Sequence, residues 1–165
     1  MQSKELLLMA NQTSAALLFP LLEDLGTAPL VTPTGKGGNH AHWTLGHLVF
    51  SEAGLTSIRH NTTNPHASLE SFFGRGVMPT PDGAGYPAYD ELLAELKSLH
   101  SAAMSELEGL SEEDLDQACP NIPEEIKSLF GTWRQAFMMR PLHWMNHRGQ
   151  LADCRRAAGR EPLML

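Results

Sequence analysis

His143 and His147, in the run Arg140-Pro-Leu-His-Trp-Met-Asn-His-Arg-Gly-Gln-Leu151, stand four residues apart, a spacing that puts two side chains on one face of a helix. Two imidazole nitrogens one turn apart can share a small divalent cation at about 2 Å per bond. An open centre of the zinc type takes three protein ligands, so the third must come from another element. His47, in Trp43-Thr-Leu-Gly-His-Leu48, is the candidate. His40 and His42 are its rivals. On a helix His40 has nearly the angular position of His47 but lies roughly 10 Å from it along the axis, so it could bind the same ion only by displacing His47. With 8 histidines in the chain, chance places about 0.4 pairs at this spacing, so the pair gains its weight from context.

Composition narrows that context. The 165 residues fit one domain, here taken as 1–165, and can bury a substantial core without disulfides or an obligatory metal. A formal net charge of −7, with 12 Lys+Arg against 19 Asp+Glu, argues against nucleic acid, whose binding rests on phosphate neutralisation. Cys119 and Cys154 lie far apart with no Cys-x-x-Cys pattern, which suits a reducing, cytoplasmic compartment. The apolar stretch at residues 6–10 is broken by Asn11-Gln-Thr-Ser14, and the run from Ala15 to Leu22 is too short to cross a bilayer, so no membrane association is expected.

The elements that must position the histidines read as helices. Tyr89, Leu92, Leu93, Leu96, Leu99, Ala103, Leu107 and Leu110 recur at steps of three and four with acids between them, which predicts a helix over 89–110. A first helix is predicted over 3–19, with Leu7, Ala10, Ser14, Leu17 and Leu18 inward, until Pro20 bends or stops it. Gly26, Pro29, Pro33, Gly35, Gly37 and Gly38 then make a loop. The next helix starts between Ala41 and Trp43 and runs to Arg59 or His60, with Leu45, Leu48, Val49 and Leu55 as its core stripe and Asn61-Thr-Thr-Asn-Pro65 as its break. Residues 65–87 are rich in Gly and Pro and form a long covering excursion. A short capped turn is expected after Ser111, and a last helix from Pro123 or Gly131 to Ala158, kinked near Pro141. No strand alternation or repeat is visible. The expected fold is all-α, a four-helix bundle.

On the last helix, steps of 100° align His143, His147, Gln150, Leu151 and Cys154, and the stripe must face inward to bury Leu151. His47 shares its face with Trp43, Thr44, Phe50, Ser51 and Gly54, aromatic and small polar groups that leave room for a lined cavity. Trp43, Ser51 and Gln150 are the candidate pocket-lining residues. Cys154 lies about 10 Å beyond His147 and reads as a small buried hydrophobe. Arg148, Arg155 and Arg156 complement the helix dipole and acidic surface. His60, His66 and His100 have no ligand spacing. His-Glu-x-x-His, the Glu-x-x-His of di-iron bundles and the Gly-x-Ser-x-Gly elbow are all absent.

Asn39-His-Ala-His-Trp-Thr-Leu-Gly-His-Leu48, followed by His143-x-x-x-His147-Arg-Gly-Gln150-Leu-x-x-x-Arg155-x-x-Gly159-x-x-Pro162, resembles the DinB-like family of metal-binding four-helix bundles. The resemblance implies His47, His143 and His147 as ligands of one divalent metal. It also implies an up-down-down-up bundle with a long crossover between the second and third helices, and a homodimer. Gly46, which weakens the helix before His47, and Pro141, two residues before His143, depart from the pattern. Some relatives are transferases or isomerases acting on low-molecular-weight thiols, and others are metal-dependent hydrolases.

Three neutral imidazoles leave an ion with open positions, where a carbonyl can be polarised or the pKa of a bound water or thiol lowered. Imidazole suits zinc, nickel, iron and copper alike, and zinc, nickel or iron is the expected ion. Two readings follow. One is a metal-dependent enzyme of the thiol-transferase or hydrolase kind, with a small-molecule substrate or thiol cofactor. The other is a non-catalytic, stress-related or interaction bundle in which metal is structural or absent. Glu52 points to a neighbouring face, so no general base is evident.

Overall fold

The computed structural model describes residues 2–32, 35, 38–161 and 163; Pro33 and Gly37 of the expected loop and Pro162 of the C-terminal motif lie outside the described residues. Among the described residues the chain is all-helical with no β-strand. Its helices are α1 (Ser3–Leu25), α2 (Ala41–His60), the one-turn α3 (Glu70–Phe73), α4 (Tyr89–Gly109), the one-turn α5 (Lys127–Phe130) and α6 (Trp133–Ala157).

Side-chain pairs give the relative directions of the long helices. Arg134 reaches Ser3, Asn11 reaches the Phe137 carbonyl and Arg155 reaches Asp24, so α1 and α6 run parallel. His42 packs on Tyr89 and Arg59 pairs with Glu106, so α2 and α4 are also parallel. Asn39 bonds Gln150 while Arg59 lies over Phe137, so α2 and α6 are antiparallel. Leu18, Leu22, Leu45, Leu48, Leu96 and Trp144 form the heart of the main core between them.

Two prolines lie inside helices. The first helix, expected to end near Phe19 where Pro20 bends or stops it, continues through Pro20 to Leu25. A helical proline weakens the local backbone ladder, and Arg148 Nε donates to the Leu17 carbonyl at 3.1 Å beside the defect. Pro141 lacks the N–H that would bond the Phe137 carbonyl, and Asn11 Nδ2 donates to that carbonyl at 3.2 Å. For Pro141 the missing donor is thus replaced by a side chain of the neighbouring helix. By length and composition α1 is apolar enough to cross a membrane, but its residues Leu18, Leu21, Leu22 and Leu25 are buried in the core.

The boundary of the last helix falls at the second of the two predicted starts. Gly131 separates α5 from α6, and Thr132 with Gln135 forms a reciprocal capping box. The turn after Ser111 is a single 3-10 turn, Asp114–Asp116, in which Ser111 and Asp114 accept each other's backbone N–H groups.

On either side of Pro141, a buried polar network ties α6 to its neighbours. The Arg140 guanidinium pairs with Glu52 and donates to Asn11 Oδ1 at 2.8 Å and to His100 Nδ1 at 3.3 Å. Trp144 Nε1 donates to the other Glu52 oxygen at 2.5 Å. Glu52, Arg140 and Trp144 are almost fully enclosed.

Candidate metal centre

The helix read from its apolar spacing carries His47 on the side of α2 that meets α6, and the antiparallel crossing sets it against His143 and His147. One ligand atom from each of the three lies within 4.8 Å of the others. Nε2 of His143 is 3.3 Å from Nε2 of His47 and 3.0 Å from Nε2 of His147. Nitrogens bound to one ion at about 2.0–2.1 Å are separated by about 2.9 Å in octahedral and 3.4 Å in tetrahedral geometry. The two separations from His143 fall in the range for nitrogens that share one divalent metal.

The outer nitrogens are held in a way that leaves Nε2 free to coordinate. His47 Nδ1 donates to the Phe73 carbonyl at 2.7 Å, and a carbonyl can only accept, so the Nε2 of the neutral ring carries a lone pair. Trp43 Nε1 donates to the adjacent Phe72 carbonyl at 2.8 Å. These carbonyls close the one-turn helix α3 and have no helical partner of their own, so α2 supplies their donors. His147 Nδ1 lies 3.0 Å from Gln150 Oε1, which also accepts from Asn39 Nδ2 at 3.2 Å. The Asn39 donor fixes the Gln150 amide with its oxygen toward His147. Partners of this type orient metal-binding imidazoles and raise their basicity.

Gly46 explains how α3 comes so close. A Cβ at that position would fall within 2.6 Å of three carbons of the Phe73 ring. Only glycine lets the outer edge of that fully buried ring press against α2, which brings the Phe73 carbonyl to His47. The departure from the family pattern is therefore a packing requirement of the site.

Burial keeps the imidazoles neutral. It pushes His143 down to about 3, aided by its two histidine neighbours, and His147 down to about 4, opposed in part by Gln150. Burial also lowers His47, against the pull of the Phe73 carbonyl.

The rivals are occupied elsewhere. His40 caps α2, its Nδ1 accepting from the Trp43 N–H at 3.1 Å while Nε2 donates to the Thr80 carbonyl at 2.9 Å. His42 bonds the Pro87 carbonyl at 2.8 Å. His60 and His66 meet Glu106 and Glu95, and His100 belongs to the Arg140 network.

His47 and His143 form part of the wall of a cavity of about 660 Å³, with Ser51 beside them. Of the other two residues expected on that wall, Trp43 is buried and stacks flat on His47 with ring centres 4.9 Å apart, and Gln150 holds His147 from behind. Sequence reasoning missed Asn39, the Phe73 carbonyl and Arg75, which also lines the cavity. Gly46 was the available signal for Phe73, since a glycine inside a helix marks close approach.

A comparison with curated proteins returns no match. The family model described as the DinB superfamily matches residues 10–151, from the first helix through His47 to the end of the His143, His147 and Leu151 stripe, and the chain belongs to the DinB superfamily.

Proposed function

We propose that this protein is a metal-dependent enzyme of the thiol-transferase or hydrolase kind, built as an up-down-down-up four-helix bundle in one domain, with residues 65–87 as the crossover. His47, His143 and His147 hold a divalent zinc, nickel or iron ion. The observation that carries the reading is the open three-nitrogen set at the wall of a cavity: His47 and His143 reach both the ion position and the space where a small molecule fits. Among the described residues no fourth His, Cys, Asp or Glu joins the cluster, whereas a closed, purely structural site takes four protein ligands. That favours catalysis over the non-catalytic bundle.

A bound ion supplies a Lewis acid that lowers the pKa of a water or thiol in the open positions. The chain's own residues do the rest. Phe73 and Gln150 aim the rings of His47 and His147 through their Nδ1 atoms, and burial keeps the three rings neutral. Trp43 excludes water from behind His47, and Ser51, with Oγ 3.4 Å from His47 Nε2, offers a hydrogen bond to whatever occupies the neighbouring space. Two buried, unbonded cysteines suit a cytoplasmic location. A twofold dimer is part of the proposal, supported by Leu6 and Met9 on α1 and Met138 and Leu142 on α6, large apolar side chains exposed on two adjacent helices.

Elemental analysis of protein purified without chelator tests the site. We expect one equivalent of metal in the parent and in His60→Ala and His66→Ala, and loss in His47→Ala, His143→Ala and His147→Ala. Full occupancy in His47→Ala would overturn the ligand set.

A further inference from the structure

We infer that the cavity takes a small organic anion: an apolar body against Phe50, Ile58, Phe130 and Met139, a carboxylate or similar group at Arg75, and an electron-donating end toward the three histidines. This rests on the metal-site reading and extends it to the class of substrate.

The volume of about 660 Å³ lies in the range of small-molecule sites, roughly 300–1,000 Å³. The wall is mainly apolar, as such sites are. Its polar groups, Asn61, Asn64, Asn121 and the hydroxyls of Ser51, Ser57 and Thr62, are uncharged at neutral pH. Among the described residues no aspartate or glutamate lines it, although the chain carries 19 acids against 12 bases. Among the described residues Arg75 is the single permanently charged residue on the wall.

Arg75 also differs from the other arginines. Arg59, Arg134, Arg140, Arg155, Arg156 and Arg160 each pair with a carboxylate, and Arg148 donates to the Leu17 carbonyl. Among the described residues Arg75 has no such partner. A guanidinium with five donors and no acceptor, beside an apolar cavity, matches an anionic group arriving with the ligand.

Its backbone follows directly from the packing that serves the metal ligands. Phe73 is locked against Gly46. Gly74 closes α3, since a Cβ there would lie 2.6 Å from the Glu70 carbonyl oxygen, and Gly76 turns the chain at φ +80°. Arg75 sits between these two glycines, two residues from the ring that braces His47. The three imidazoles are neutral, so an ion with Arg75 gives the cavity a positive potential that no wall carboxylate offsets. An acid-rich protein with an acid-free, cationic cavity selects for a negative ligand.

The test uses 3-(4-mercaptophenyl)propanoate and its uncharged primary amide on cobalt(II)-loaded and metal-free protein. Calorimetry gives affinity, and the cobalt absorption band reports thiolate coordination. The parent should bind the acid about fivefold more tightly than the amide, as befits an exposed arginine, with the ratio shrinking in high salt. In Arg75→Ala the ratio should fall to about one, and in Arg75→Glu below one. A ratio near one in the parent, an unchanged ratio in Arg75→Ala, or no saturable binding of either probe would overturn the inference. Failure of the metal reading is separately visible: cobalt would not be retained, while the acid-to-amide ratio on metal-free protein would still report on Arg75.

Discussion

Replacing Gly46 with alanine sets two effects of comparable size against each other. In an unhindered helix interior the change stabilises by about 1 kcal/mol, because glycine carries extra conformational entropy in the unfolded chain. At this position the new methyl group would overlap three carbons of the fully buried Phe73 ring. Overpacking of that kind costs about 1–3 kcal/mol, and loss of the neutral bond from His47 to the Phe73 carbonyl costs about 0.5–1.5 kcal/mol more. The net expectation is destabilisation by about 0.5–3.5 kcal/mol. The effect on metal should be larger, since losing the partner that orients a ligand imidazole weakens binding about 10–100-fold. Gly149→Ala on α6 is the comparator. Nothing lies within 4 Å of its Cβ position, so it should gain up to about 1 kcal/mol with metal affinity unchanged. Urea unfolding and competition against a chromophoric chelator measure the two quantities. Shortening the obstructing side chain, in Gly46→Ala with Phe73→Leu, should recover part of the metal affinity. A Gly46→Ala protein that is more stable than the parent and binds metal equally well would refute the role given to Phe73.

Other outcomes follow from the same contacts. Arg140→Met leaves the Glu52 carboxylate buried without its cation and should cost about 3–5 kcal/mol, whereas Arg140→Met with Glu52→Leu should cost much less than the sum of the two single changes; additive urea-derived losses would contradict a coupled pair. Asn11→Leu strips the Phe137 carbonyl and Arg140 of a partner and should cost about 1–3 kcal/mol, read from the urea midpoint. Folding holds His100, His143 and His147 at about 4, 3 and 4, below the unfolded value of about 6.5. The unfolded chain therefore binds more protons in that window, and the stability of metal-free protein should be full above about pH 6.5 and decline as pH falls toward about 3; equal urea midpoints at about pH 7 and about pH 5 would contradict this. Sedimentation at tens of micromolar should show a dimer in the parent and a shift to an 18.1 kDa species in Leu6→Glu with Leu142→Glu; a parent that sediments only as that species would count against the exposed α1 and α6 face as an interface.

Much of the site was legible because its geometry is local. Apolar spacing gave α4 and the core stripe of α2, and the four-residue step of His143 and His147 needs only a helix to align them. The resemblance to known bundles then joined His47 to the pair. Readings that depended on one helix alone went astray where a second helix intervened. Pro20 looks like a stop in isolation. The structure carries the helix five residues past it to Leu25, with Arg148 of α6 donating next to the defect.

The same limit governed Glu52 and the crossover. Glu52 is turned away from His47 on α2, and a carboxylate in that direction reads as an ordinary neighbour in sequence. Its meaning lies in the register of α2 on α6, which brings Arg140 and Trp144 to its two oxygens. Arg140 stands three residues before His143, and Trp144 immediately follows it. The ion pair therefore fixes the height at which α6 passes α2 only a turn from the point where the imidazoles must meet. In the crossover, composition announced a loop but could not say which carbonyls would be left without donors at the end of α3. The carbonyls of Phe72 and Phe73 fall there, and Trp43 and His47, one turn apart on α2, answer both. A backbone that needs donors and a histidine that needs a fixed tautomer satisfy each other, which is why residues with no side-chain chemistry of their own belong to this site.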